Sequence, residues 1–195
     1  MRRKSFDTVM SWAGVALAAV LLVAGGLLTW AHTFVNDQVH SQLSAQKIFF
    51  PKAGDEGLKD PKIGPYLTQY AGQQLTDGAQ ARAYADHYIA VHIEEMTGGK
   101  TYAQLSTIAR ANPDDAKAAA MVETTFKGET LRGLLLNAYA FWKMGQIALI
   151  AAIAAFVGAG LFAVLALLGF IHRGRVTPDE EILGLGSRVP VTVEP

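Results

Sequence analysis

Ten consecutive residues, Asp86-His87-Tyr88-Ile89-Ala90-Val91-His92-Ile93-Glu94-Glu95, hold the densest set of groups in the chain that could do chemistry. Two imidazoles among carboxylates are the donor types of a metal site or of an acid–base pair. Their spacing argues against both. Helical partners sit at i, i+3 or i+4, where side chains share a face. His87 and His92 are five apart, about 140° around a helix of 3.6 residues per turn. His92 and Glu95 do form an i, i+3 pair. His87, His92 and Glu95 are therefore the metal candidates, and another helix would have to add a ligand such as Glu123 or Asp115. With two groups in register, the better reading is a solvated face carrying local ion pairs, and no cofactor is assigned.

The rest of the chain supplies no chemistry to compete with this cluster. No Ser/His/Asp order, phosphate loop or zinc spacing can be assembled. Gly98-Gly99 reads as a helix stop. Cysteine is absent, which removes disulfides and thiolate metal sites. Seventeen basic and seventeen acidic residues cancel. Residues 33–143 carry 11 Lys/Arg and 12 Asp/Glu, so no nucleic-acid partner is expected. No catalytic residue is assigned, and the chain is expected not to be an enzyme.

The elements that position these residues begin with two apolar runs. Met144–Ile171 is 28 residues long without a formal charge, and Val9–Ala31 is 23. About 20 apolar residues cross a hydrocarbon core of roughly 30 Å. The fold class expected is an all-α membrane protein, two transmembrane helices flanking an extracytoplasmic helical domain. Its parts are a cytoplasmic N-terminus (1–8), the first span (9–31), the outer domain (32–143), the second span (144–171) and a cytoplasmic tail (172–195). Arg2, Arg3, Lys4, Arg173 and Arg175 flank the terminal sides of the spans, against Lys47, Arg132 and Lys143 on the central side. Basic residues stay in the cytoplasm, so both termini are placed there, in a multi-pass protein of the plasma membrane. A cleaved signal peptide is the rival, but its apolar core would be only about 7–15 residues.

Aromatic and small residues give the spans their detail. Trp12 and Trp30 are 18 residues apart, about 27 Å along a helix, and suit the two interfaces. Tyr139, Trp142 and Lys143 suit the outer interface at the second span. Ala151, Ala155 and Ala159 recur every four residues beside Gly158, and the first span offers Gly14 and Ala18. Such residues let helix backbones approach, on each other or on a partner. No ionisable group lies inside either span, which argues against ion conduction through this chain alone.

Between the spans the signals are helical. The first helix should run on to about Ala45, carrying His32 and His40 as surface or interface residues. Residues 50–64 read as loop, with Phe49-Phe50 pinning it, and a short helix should follow Pro65. Asp77 with Gln80, and Thr101 with Gln104, are capping boxes. They predict helices over 78–96 and 102–111. Asn112-Pro113 predicts the N-cap and first residue of a third helix. No proline follows until Pro178, so that helix should continue into the bilayer. Thr177–Glu180 could cap a turn of the tail.

Four stretches carry a resemblance: Gln42–Pro51, Tyr70–Gly72, Gly99–Gln104 and Gly128–Phe141. Together they resemble a family of two-span actinobacterial membrane proteins, over roughly 9–169. Some members are labelled aromatic ring-opening dioxygenase. Non-haem iron in oxygenases takes two His and one carboxylate, and the residues here offer no such triad at suitable spacing. The resemblance implies the two-span topology and supplies no site residue.

The function expected is that of an integral membrane accessory or structural protein. Its partners are membrane lipids and another membrane or envelope protein, or its own copy. A metal-dependent enzyme centred on His87, His92 and Glu95 is one alternative, and a binder of lipid or small molecules is another.

Overall fold

The structure, a computed structural model, describes residues 3–175. The described residues are almost all helical. Helix α1 runs Arg3–Gln46 and α6 runs Ala116–Arg175. Between them lie α2 (Gly64–Leu67), α3 (Gly78–Tyr84), α4 (Ala90–Thr97) and α5 (Tyr102–Ala111). Short 3₁₀ turns occupy Glu56–Leu58 and Thr68–Tyr70. One isolated antiparallel bridge, Phe49 to Gln74, is the extended pairing among the described residues.

Both long helices are long and apolar enough to cross a membrane, with mean hydropathy of 2.1 and 2.6 over their most apolar windows. Only 11% of either window is buried within the chain. A core helix of a water-soluble protein would be covered by its own fold, and these are not. The arrangement is consistent with a two-span membrane protein.

The chain divides into two compact units. One holds the described residues up to Thr29 and from Leu149 onward; the other is Trp30–Ala148. In the first unit, α1 and α6 meet through small residues. Ser11, Gly14, Ala18 and Gly25 are buried on α1, and Ala152, Ala155, Ala159 and Ala166 on α6. A Cβ on Gly14 would lie 3.1 Å from that of Ala166, and one on Gly158 would lie 3.2 Å from Leu21 Cδ1. Close backbone approach is how helices associate where lipid removes the hydrophobic drive. Ala151 sits at the edge of this contact, half-buried.

In the second unit a core forms on one face of the α1–α6 pair. Val39 and Leu43 of α1 and Leu135 of α6 pack with Ile63, Leu67, Leu75, Ala81, Ala85 and Ile89. Phe50 is buried among them while Phe49 is 58% exposed, so one ring of the pair pins the loop. Lys47 ends α1 in the left-handed region at φ 53°, a position glycine usually takes. Both capping boxes form: Asp77 accepts from Gln80 N–H, and Thr101 from Gln104 N–H, with each glutamine side chain reaching back to the N-cap backbone. Gly98, at φ +60°, closes α4, and Gly99 N–H donates to the Glu94 carbonyl at 3.0 Å.

Two features differ from the sequence reading. The α3–α4 segment is interrupted by a π-helical turn at Ala85–Ile89. Such a turn inserts one residue and shifts the phase of the buried face. Ala81, Ala85 and Ile89 face the core up to it, Val91 and Ile93 pack there beyond it, and Met96 is 38% exposed. The second difference is the start of α6. Asn112 is not its N-cap: the Asn112 side-chain amide donates to the Ile108 carbonyl at 3.0 Å, closing α5. Pro113 and Asp114 form a turn, and Asp115 caps α6, its Oδ1 accepting from Lys117 and Ala118 N–H at 2.9 and 3.0 Å. A proline just past a helix end serves to stop that helix as readily as to start another. From Ala116 the helix passes Gly128 and Gly133 unbroken. Thr177–Glu180 lies outside the described residues.

Candidate functional site

The polar cluster read from the sequence falls on the π turn and the helix after it. Asp86 is held by two guanidinium groups: Arg82 Nε lies 3.6 Å from Oδ2, and Arg132 Nη2 3.4 Å from Oδ1. Arg132 also reaches Glu129 at 3.4 Å. The His87 ring stacks flat on Tyr66, centroids 3.5 Å apart and planes within 4°. His92 Nδ1 lies 2.7 Å from the Tyr88 carbonyl, so that nitrogen carries a proton and is not a lone-pair donor to a metal. Glu94 pairs with Lys62 at 3.5 Å, and Glu123 pairs with Lys127. Among the described residues, no three His, Asp or Glu side chains are placed to hold one ion. His87, His92 and Glu95 thus share a helix without a common focus.

Behind this surface runs a ladder of rings. Phe50 packs on Tyr70 and Tyr84, Tyr84 on Tyr88, and Tyr88 on His92, with centroids 5.1, 5.4, 4.7 and 4.4 Å apart. Burial, with the neighbouring Tyr88 phenol adding, pushes the Tyr84 hydroxyl up to about 12. At neutral pH it is a neutral phenol and neither base nor nucleophile. The Glu123 carboxyl is held below its usual range by its hydrogen bond with Lys127, and by that ammonium's charge.

Some of the residues expected at the membrane interfaces have ring or backbone neighbours within the chain, while Trp12 and Trp30 remain 61 and 64% exposed. Trp12 meets Phe170 edge-on, centroids 5.8 Å apart, and Trp30 stacks on Phe34 at 5.6 Å. Arg82 sits 5.0 Å over the Tyr139 ring and donates to its hydroxyl at 3.0 Å. Trp142 is half-buried against Gly78, whose added Cβ would lie 2.3 Å from Trp142 Cβ. Lys143 is exposed beside it. His40 is exposed, whereas His32 bonds the Gly145 carbonyl.

Two surfaces of the second unit were not legible as sites in the sequence. The first is a groove of about 440 Å³ between α1 and α6, lined by Phe34, Gln38, Gln42, Leu134, Asn137 and Phe141 among others, none of them charged. Its exposed rings and Leu134 are 49–60% accessible. The second is the hairpin made by α5 and the first turns of α6. From Tyr102 to Phe126 only Leu105 and Thr125 are buried, and none of these residues joins the core. Tyr102 and Phe126 meet at 5.7 Å, yet Tyr102, Ile108 and Phe126 remain 44, 41 and 56% exposed. Both surfaces depend on what fails to cover a residue, which spacing alone does not encode.

Compared with protein-family models, curated proteins and solved structures, the chain matches none.

Proposed function

We propose that this is an integral membrane accessory protein whose middle unit lies outside the cell and makes protein–protein contact in the envelope. The basic residues at both termini support that orientation, since Lys and Arg flanking a span are retained in the cytoplasm. The α5–α6 hairpin carries the reading. It presents Tyr102, Ile108 and Phe126 to solvent and buries almost nothing of its own. Exposed aromatic and aliphatic side chains on a thinly supported element are what a partner surface covers.

The partner is a second envelope protein offering apolar side chains to this hairpin. A photo-reactive residue at Ile108 or Phe126, activated in native membranes, tests this. One discrete adduct, heavier than the chain by the mass of another protein and absent with the probe at Lys52, is the result expected. Absence of any adduct at both hairpin positions would remove the reading.

A further inference from the structure

The α5–α6 hairpin meets the end of α4 over a cleft of about 410 Å³. Leu105, only 5% exposed, is its floor. Met96 of α4, Ile108 of α5 and Met121 of α6 are its apolar walls. Met96 and Ile108 remain 38 and 41% exposed, so the walls stand open. A concave apolar recess is where a partner seats an anchoring side chain, and methionine walls adapt to its shape. Ile108 belongs both to this cleft and to the exposed set that carries the proposed function.

The charges around the cleft say what must accompany that anchor. Three charged side chains line it: Lys100, Asp115 and Lys117. Asp115 is already engaged, since its Oδ1 accepts from Lys117 and Ala118 N–H and caps α6. The two ammonium groups are not. Among the described residues, neither Nζ has an ion pair or a hydrogen bond, whereas Lys59, Lys62 and Lys127 each hold a carboxylate. Lys100 Nζ folds back over the end of α4, 3.8 Å from where a Gly98 Cβ would sit. Glu95 and Asp114, the acids closest in sequence, do not line the cleft. An uncharged cover would strip water from two ammonium groups and return nothing, which is costly. A basic cover would be repelled. Carboxylates answer both groups, steer the encounter and fix its register.

We propose that this cleft receives an acidic–apolar segment of the envelope partner, with one large apolar side chain over Leu105 and carboxylates at Lys100 and Lys117. The inference rests on the proposed function and adds the charge and shape of the partner.

A photo-reactive residue at Phe126, outside the cleft, reports whether the partner is bound. Its adduct is compared in native membranes among the parent chain, Lys100→Glu with Lys117→Glu, and Lys100→Arg with Lys117→Arg. Both lysines are exposed and unpaired, so neither double change disturbs the fold. The glutamate pair should cut the adduct by about tenfold or more, because it sets carboxylate against carboxylate. The arginine pair should keep the adduct. With the probe at Ile108, on the cleft wall, the cross-linked partner peptide should carry Asp or Glu beside a large apolar residue. An undiminished adduct in the glutamate pair overturns this inference and leaves the proposed function standing. Equal loss in both pairs overturns it too, as does a partner peptide without an acid, or an Ile108 adduct of lipid mass only. No adduct at Phe126 or Ile108 in the parent chain removes the proposed function and this inference with it.

Discussion

His32 Nδ1 lies 2.9 Å from the backbone carbonyl of Gly145, joining the two long helices where neither has a cap or a turn to fix it. A ring nitrogen facing a carbonyl is the protonated one. The contact works because Gly145 has no side chain: a Cβ there would sit 3.3 Å from Val35 Cγ1. His32→Ala should lower stability by about 1 kcal/mol and the melting temperature by a few degrees. Thermal unfolding followed by circular dichroism in detergent checks this, and an unchanged melt would show that the bond contributes nothing.

Gly78 opens α3 directly under Trp142, its missing Cβ 2.3 Å from Trp142 Cβ and 2.5 Å from Cγ. Those atoms lie at the base of the indole and cannot swing away as a flexible tip would. Gly78→Ala should cost about 1–3 kcal/mol, as overpacking does, despite the better helix propensity of alanine. A stabilised variant in the same melt would mean the two helices are not in close contact.

The start of α6 can be tested by comparing two residues. Asp115 accepts two backbone N–H groups of α6, whereas Asn112 bonds backward to Ile108. Asp115→Ala should cost about 1 kcal/mol, the usual value of an N-cap. Asn112→Ala should cost less, because it removes only a partner at the exposed end of α5. The reverse order in chemical denaturation would restore Asn112 as the cap.

Tyr84 gives a pH dependence. Its hydroxyl is raised from 10.0 to about 12, by burial first and then by Tyr88. A raised folded value means that the folded state holds the proton more tightly than the unfolded chain does. The resulting stability is therefore present below pH 10 and is lost as pH rises from about 10 to 12. Tyrosinate absorbance should show a late-titrating ring in the folded protein that Tyr84→Phe removes. Its loss from Tyr88→Phe instead would reassign the buried phenol.

What could be read from residues alone was local. Asp77 with Gln80 and Thr101 with Gln104 carry their caps within four residues, and both form. The long uncharged runs needed only length and composition. Asn112-Pro113 misled because the same dipeptide suits the end of one helix and the start of another. The π turn at Ala85–Ile89 left no local mark, since it arises from fitting Ile89, Val91 and Ile93 to one core. The ten-residue polar cluster read as a solvated face with local ion pairs, and its Asp86, His87, His92 and Glu94 are engaged by Arg82 with Arg132, by Tyr66, by the Tyr88 carbonyl and by Lys62. Those partners lie up to 46 residues away, beyond any spacing rule.

The placement of the middle unit outside the cell underlies the proposed function, and one labelling experiment addresses it. Lys100 follows the α4 stop at Gly98-Gly99 and is exposed, in a chain without cysteine. Lys100→Cys should react with a membrane-impermeant thiol reagent in intact cells as fully as after lysis. Reaction only after lysis would put this unit on the cytoplasmic side and contradict the orientation.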